Sequence, residues 1–426
     1  MSFDIKHITS QKAGETCTVA VHDSGLKLFL CPRAGYSSSY AVFGTHYGSI
    51  DTEFALGDGK WQRVPEGIAH FLEHKLFEGE DGDAFEKYAV TGASANAYTS
   101  FDRTCYLFSC SNKFYENLDI LLDFVSSPYF TPETVNKEQG IIGQEIKMYE
   151  DVPDWRVLFN LFRIMYREHP VKIEIAGTVE SIAKITDKTL YDCYNTFYDP
   201  SNMFLCICGD FCEEKVMEAV EKRIKPKPHD TIHRSEFNEP DSIVSSYTEQ
   251  EMAVSIPLFV AGIKDTVMKT GKTAKQTVAS ELLIELVAGR ISPLYSKLLG
   301  DGLINNNFST EYFYGHGYSA LLFEGESKDP EKVFGAIKEA VAAIAAGNLD
   351  KDLFDDAKRK LYGREIRRFG DAEETVGVFI DCAVDGHMPY DRLSALSELC
   401  PDDIIKRASE LDPSAFALSV IKPKSN

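Results

Sequence analysis

The chain has 426 residues, 44% hydrophobic and 26% charged, a composition typical of soluble globular proteins and too long for one ordinary core. Its formal charge of −21 argues against nucleic acid or an anionic membrane as the main partner, because both attract basic surfaces. Residues 1–10 show no apolar stretch and no small-residue cleavage site, so they do not read as a secretory signal. No apolar run approaches the roughly 20 residues that span a bilayer. Ten cysteines without a CxxC pair read as buried, reduced thiols, which predicts a cytoplasmic protein. Cys206, Cys208 and Cys212 lie close together, but 204–208 reads as one buried strand and not as a metal site.

From Thr16 to Ile50 apolar residues alternate, with breaks at 23–25 and 32–35, which predicts two or three antiparallel strands. Pro65 opens a helix that carries Gly67-Ile68-Ala69-His70-Phe71-Leu72-Glu73-His74-Lys75-Leu76-Phe77. A second helix over 83–90 ends at Thr91-Gly92, where glycine takes the left-handed cap. Strands over 93–100 and 104–110 flank the turn Phe101-Asp102-Arg103. A helix over 112–127 stops at Pro128, and Pro132 restarts a long one that passes Glu145 to Tyr149. Helical pieces at 154–166, 179–185 and 187–197, a strand at 202–209 and a helix at 213–223 complete this half.

Residues 225–247 are proline-rich, polar and aperiodic and read as a linker. Beyond them come a strand at 253–262, a helix at 273–288, strands at 307–313 and 318–324, helices at 330–346 and 351–369, and a closing strand at 413–421. The second half repeats the element order of the first although residue identities barely repeat. The expected fold is α+β: two domains of like topology, 1–224 and 248–426, each a mainly antiparallel sheet covered by helices.

His70 and His74 are four apart and lie on one helix face, and Glu73 projects beside them. Two neutral imidazoles and a carboxylate at one spot are what zinc with one activated water requires. A catalytic zinc usually keeps three protein ligands. Glu133, Glu138, Glu145, Glu150 and Asp151 stand on or near the long helix, and Glu138 and Glu145, seven apart, share a face. One of this pair can bind the metal while the other orients a ligand from behind; spacing leaves open which.

His70-x-x-Glu73-His74 is the inverted zinc-peptidase signature. It is followed in order by Asn96-Ala97-Tyr98-Thr99 with Thr104-x-Tyr106, Glu138-x6-Glu145, His169-Pro170, Ala176-Gly177, Phe197-Tyr198, Asn202-Met203 and Gly209-Asp210. In these residues the chain resembles the zinc-bearing domain of the pitrilysin/insulinase family of metallopeptidases, in a short bacterial-type form. The resemblance implies Zn2+ held by His70, His74 and Glu145, with Glu73 as general base and Glu138 as the carboxylate behind a ligand. It implies that the two domains form half of a clamshell chamber. It also implies that Ala93, Ser94, Ala95, Asn96 and Ala97 form an edge strand that pairs with the substrate backbone. Small side chains there let a second chain approach; an ordinary sheet edge kept small by packing would carry the same residues, and the resemblance favours binding.

One family feature is missing. In the family's second domain an arginine and a tyrosine steady the substrate carbonyl and the oxyanion. The corresponding positions here are Leu299 and Asn305, while Arg290 and Tyr295 fall too early to replace them. The implied partner is a similar chain without the HxxEH motif that supplies the pair, so a heterodimer is expected ahead of a homodimer. The expected function is zinc-dependent endopeptidase action on small or unfolded peptides, in general turnover or in one processing step. The alternative is a non-catalytic scaffold or peptide-binding subunit of a peptidase complex, against which the intact His70, Glu73, His74 and Glu145 argue. Nothing resembles a phosphate-binding glycine loop, so ATP dependence is not expected.

Overall fold

The computed structural model describes residues 3–226, 230–265 and 273–424. Its first strands are β1 (Phe3–Ser10), β2 (Glu15–His22), β3 (Lys27–Pro32), β4 (Ser39–Thr45), β5 (Glu53–Leu56), β6 (Gln62–Arg63), β7 (Glu78–Gly79) and β8 (Gly82–Asp83). Then come β9 (Ser94–Thr99), β10 (Thr104–Cys110), β11 (Met203–Gly209), β12 (Ile232–Arg234) and β13 (Tyr247–Met252). The last are β14 (Leu258–Lys264), β15 (Ser309–Gly315), β16 (Tyr318–Glu326) and β17 (Phe416–Pro423). The chain forms two compact units, each assembled from three stretches. Residues up to Ile146, Glu174–Ser235 and Ile366–Tyr390 make the first; Lys147–Ile173, Glu236–Glu365 and the residues from Asp391 make the second.

The first unit holds a seven-stranded sheet in the order β1-β2-β3-β11-β4-β10-β9. Only β3 and β11 run parallel; the other neighbours are antiparallel. β11 is buried along its whole length, as its unbroken apolar run requires of a strand covered on both faces. Leu205 and Ile207 join the core with Leu121 and Leu122 of the helix Phe114–Val125. Cys206 points the other way, and its cross-strand neighbour Phe29 stacks on Phe379 of the helix Ala372–Asp385 at 5.9 Å. β1 lies outside the strands expected from residue 16 onward. Its exposed run Asp4–His7 carries little apolar signal because it is an outer strand of the sheet.

The second unit holds a five-stranded sheet, β13-β17-β14-β16-β15, with β13 and β17 parallel and the rest antiparallel. Strand for strand this is the order and direction of β3-β11-β4-β10-β9, so the repeat expected from element order is present. The helix Pro153–Met165 covers β14 and β17. It comes so near that a Cβ at Gly262 would lie 2.9 Å from both Leu161 Cδ2 and Met165 Sδ.

The division differs from the single break expected at 225–247. The helix Pro153–Met165 belongs with the second sheet and Ala372–Asp385 with the first. Nor is the expected linker loose, although residues 227–229 of it lie outside the described residues. β12 pairs antiparallel with β5. Further on, the buried Glu239 carboxylate accepts the backbone N–H of Arg167 at 3.0 Å, Glu168 at 2.6 Å and His169 at 2.8 Å, and the Lys264 ammonium at 2.5 Å. Burial works to raise this carboxyl, but Lys264 and the three N–H groups prevail and hold it below the usual range. Among the described residues no helix is long and apolar enough to cross a membrane.

Candidate metal centre

The motif helix, Ile68–Leu76, starts from Gly67 at φ 87°, a left-handed conformation, and a Cβ there would sit 2.3 Å from Ala176 O. Gly177 answers it at φ 74°, where a Cβ would lie 2.5 Å from Glu66 O. The two turns therefore pass backbone against backbone, and Ser181 Oγ pins them by donating to Glu66 O at 2.8 Å. Ile68, Phe71, Leu72 and Leu76 enter the core, which leaves His70 and His74 half-buried on the adjoining face. The long helix Pro132–Glu150 buries Val135, Ile142 and Ile146, and Glu138 and Glu145 lie beside that stripe as the two-turn spacing predicts.

His70 Nε2 is 3.7 Å from Glu145 Oε1, and His74 Nε2 is 3.6 Å from Glu145 Oε2. These distances are too long for hydrogen bonds. They match donors held tetrahedrally about an ion at bonds of about 2.0–2.2 Å, which stand about 3.4 Å apart. His70, His74 and Glu145 offer ligand atoms that all lie within 4.8 Å of one another, and no second such group occurs among the described residues. Cys206 and Cys208 are buried in β11 and Cys212 is exposed, in keeping with the strand reading of that stretch. His74 Nδ1 meets Glu138 Oε1 at 2.9 Å, which orients the ring and turns Nε2 toward Glu145. His70 Nδ1 is buried without a hydrogen-bond partner.

Electrostatics distinguish the three groups of the motif. Burial, helped by His74, pushes His70 down to about 3, so it stays a neutral imidazole with a lone pair to offer. For His74 burial acts in the same direction, but Glu138, Glu73 and Glu145 outweigh it and raise the imidazole. Burial raises the Glu73 carboxyl despite the opposing pull of Thr99 and His74, which is the direction a general base near neutrality needs. Two imidazoles and a carboxylate in this spacing, with a carboxylate behind one ring, are a donor set suited to zinc.

β9 is the end strand of its sheet, antiparallel to β10, so its outer edge is open. Ser94, Ala95, Asn96 and Ala97 lie in it; Ala93 precedes it and gives its N–H to Tyr88 O at 3.2 Å. Ser100 N–H donates to Arg103 O at 2.8 Å. Counting back by twos along the register, Ser94, Asn96 and Tyr98 face β10, and the main-chain groups of Ala95, Ala97 and Thr99 face outward. Asn96 Oδ1 accepts the outward N–H of Ala97 at 2.9 Å. Residue identities missed the role of Thr99, whose hydroxyl donates to Glu73 Oε2 at 2.7 Å. The one available signal was its place at the end of Asn96-Ala97-Tyr98-Thr99. At the positions where the arginine and tyrosine were sought, Leu299 is exposed and the Asn305 amide bonds Glu326.

Residues 62–179 match the family described as insulinase (peptidase family M16), and residues 184–361 match the peptidase M16 inactive domain. Zinc protease YmfH of Bacillus subtilis, itself uncharacterized, is 39% identical over 99% of this chain and 100% of its own length. The chain belongs to the insulinase family of peptidases. A crystal structure of a putative M16-like peptidase from Alicyclobacillus acidocaldarius superposes with a TM-score of 0.90 at 33% identity, covering 100% of this chain and 99% of that one. Pitrilysin shares the fold at TM-score 0.76 and 17% identity, with 99% of this chain covering 46% of pitrilysin. The insulinase-family match bears out the resemblance read from the motifs, and the M16 inactive-domain match covers a stretch, 184–361, that carries no HxxEH motif.

Proposed function

We propose that this insulinase-family chain is a zinc-dependent endopeptidase that cleaves small or unfolded peptides. The observation that carries the reading is the convergence of His70, His74 and Glu145 within 4.8 Å, with the Glu73 carboxylate on the same helix. Zinc, when bound, would polarise the scissile carbonyl and lower the pKa of a water to near neutrality. His70, His74 and Glu145 would hold the ion. Glu138 keeps the His74 ring in the tautomer that presents Nε2. Glu73 takes a proton from the attacking water and returns it to the leaving amine. Ala95 and Ala97 offer outward main-chain groups on which an extended peptide adds as a further strand, once Asn96 releases the Ala97 N–H.

The absence of an arginine at 299 and a tyrosine at 305 supports a heterodimer, with this chain as its zinc-bearing half. The partner is a similar chain without HxxEH that brings the missing pair to a shared chamber. Ten free cysteines, eight of them buried, favour the cytoplasm.

Glu73→Gln is the test. The variant is expected to bind zinc and peptide as the unaltered protein does and to lose cleavage. Unchanged cleavage would overturn the peptidase assignment, and self-sufficient turnover by the chain as a monomer would overturn the heterodimer.

A further inference from the structure

The side chain of Thr99 links the open edge strand to the carboxylate of Glu73, and no motif role accounts for it. Thr99 Oγ1 lies 2.7 Å from Glu73 Oε2 and 3.3 Å from Thr104 Oγ1. Thr104, wholly buried, lies 2.8 Å from Tyr47 O and gives it its hydroxyl proton. A hydroxyl has one proton to donate. With the Thr104 proton placed on Tyr47 O, the Thr99 proton has two acceptors within reach, Thr104 Oγ1 and the Glu73 carboxylate. The shorter contact and the charge both favour the carboxylate. Thr99 is the last residue of the edge strand β9, so an edge residue holds Glu73 through its side chain.

Glu73 reaches this position from a helix, and its side chain has three rotatable torsions. The Thr99 hydroxyl restricts that freedom, and the pair Thr104–Tyr47 fixes Thr99 from behind. We propose that Thr99 is a positioning residue: it holds Glu73 in the rotamer from which it takes the proton of the attacking water. This inference rests on the peptidase reading above.

The test compares Thr99→Val, which keeps the shape and loses the hydroxyl, with Thr99→Ser, which keeps the hydroxyl. Both are prepared as the full zinc-loaded chain and assayed on an unstructured peptide, and crystal structures of both locate the Glu73 carboxylate. Thr99→Val is expected to keep zinc content and KM while kcat falls about tenfold or more, with Glu73 displaced. Thr99→Ser is expected to stay within about threefold of the unaltered chain, with Glu73 in place. A valine variant with full kcat and an unmoved Glu73, or a serine variant as impaired as valine, overturns the inference. An unaltered zinc-loaded chain that cleaves nothing counts against the peptidase reading instead, and the position of Glu73 in the valine variant then still decides the role of Thr99.

Discussion

The two units carry the same five strands in the same order, and the helices laid on corresponding strands have opposite characters. In the first, the motif helix packs on β9 and brings two histidines and a glutamate to the edge of the core. In the second, the helix Ala274–Ala288 packs on β15 and buries Val278, Leu282, Leu283 and Leu286. The buried charges of the second unit are paired with one another. Lys264 meets Glu239, Arg392 bridges Glu281 and Glu365, and Arg407 meets Asp265. The same backbone thus accepts a reactive centre or a set of internal clamps, and the choice lies in the side chains placed on it.

That contrast predicts that substitutions in the first unit's centre change chemistry more than stability, and that the reverse holds for the second unit's clamps. The largest effect belongs to Glu145→Gln, expected to lower zinc content and reduce cleavage by about 10³-fold or more. Metal analysis and turnover both check it, and a zinc-replete, active variant would remove Glu145 from the ligand set. Glu239→Gln removes the carboxylate that faces the Lys264 ammonium and the N–H groups of residues 167–169, and is expected to cost about 3 kcal/mol in urea unfolding, with zinc content per folded chain unchanged.

The pH dependence of the same clamp has a definite sign. The folded Glu239 carboxyl lies below its unfolded value, so its contribution is complete above the ordinary carboxylate range. It is lost as pH falls through the lower folded value. Unfolding curves taken down the acid side should therefore converge for the unaltered chain and Glu239→Gln, and curves that stay apart would contradict the clamp. Back in the first unit, Glu138→Ala is expected to cost 10- to 100-fold in zinc affinity or turnover, roughly the usual weight of a carboxylate behind a metal-bound imidazole. The smallest effect is that of Asn96→Ala. Freeing the Ala97 N–H should lower KM by about threefold, whereas a rise in KM would mean that Asn96 itself binds the peptide.

Much of the centre was legible because its information is local. His70, Glu73 and His74 lie within one turn of helix, and Glu138 and Glu145 within two, so periodicity alone put each set on a face. Joining the two sets required the family resemblance. Four of the five strands of the second unit were legible for a similar reason, since alternation and turn residues mark strands one by one. What stayed hidden depends on distant partners. Glu239 stands in a proline-rich polar stretch that looks solvated, and nothing nearby in sequence announces Lys264 or the N–H groups of residues 167–169. β13, Tyr-Thr-Glu-Gln-Glu-Met, is polar because it is an outer strand, and it falls between the expected linker at 225–247 and the expected strand at 253–262. The hold of Thr99 on Glu73 spans 26 positions and leaves no periodic trace.

The reciprocal lending of helices has a practical consequence for anyone who would shorten the chain. A cut at the polar stretch around residue 235 yields an N-terminal fragment with every zinc-site residue but without Ala372–Asp385, the cover of β4 and β11. The C-terminal fragment is left without Pro153–Met165, the cover of β14 and β17. Each piece would expose a sheet face that its own sequence cannot close. The two fragments should be poorly soluble apart and recover when produced together, so the smallest self-sufficient folding module of this chain is nearly all of it.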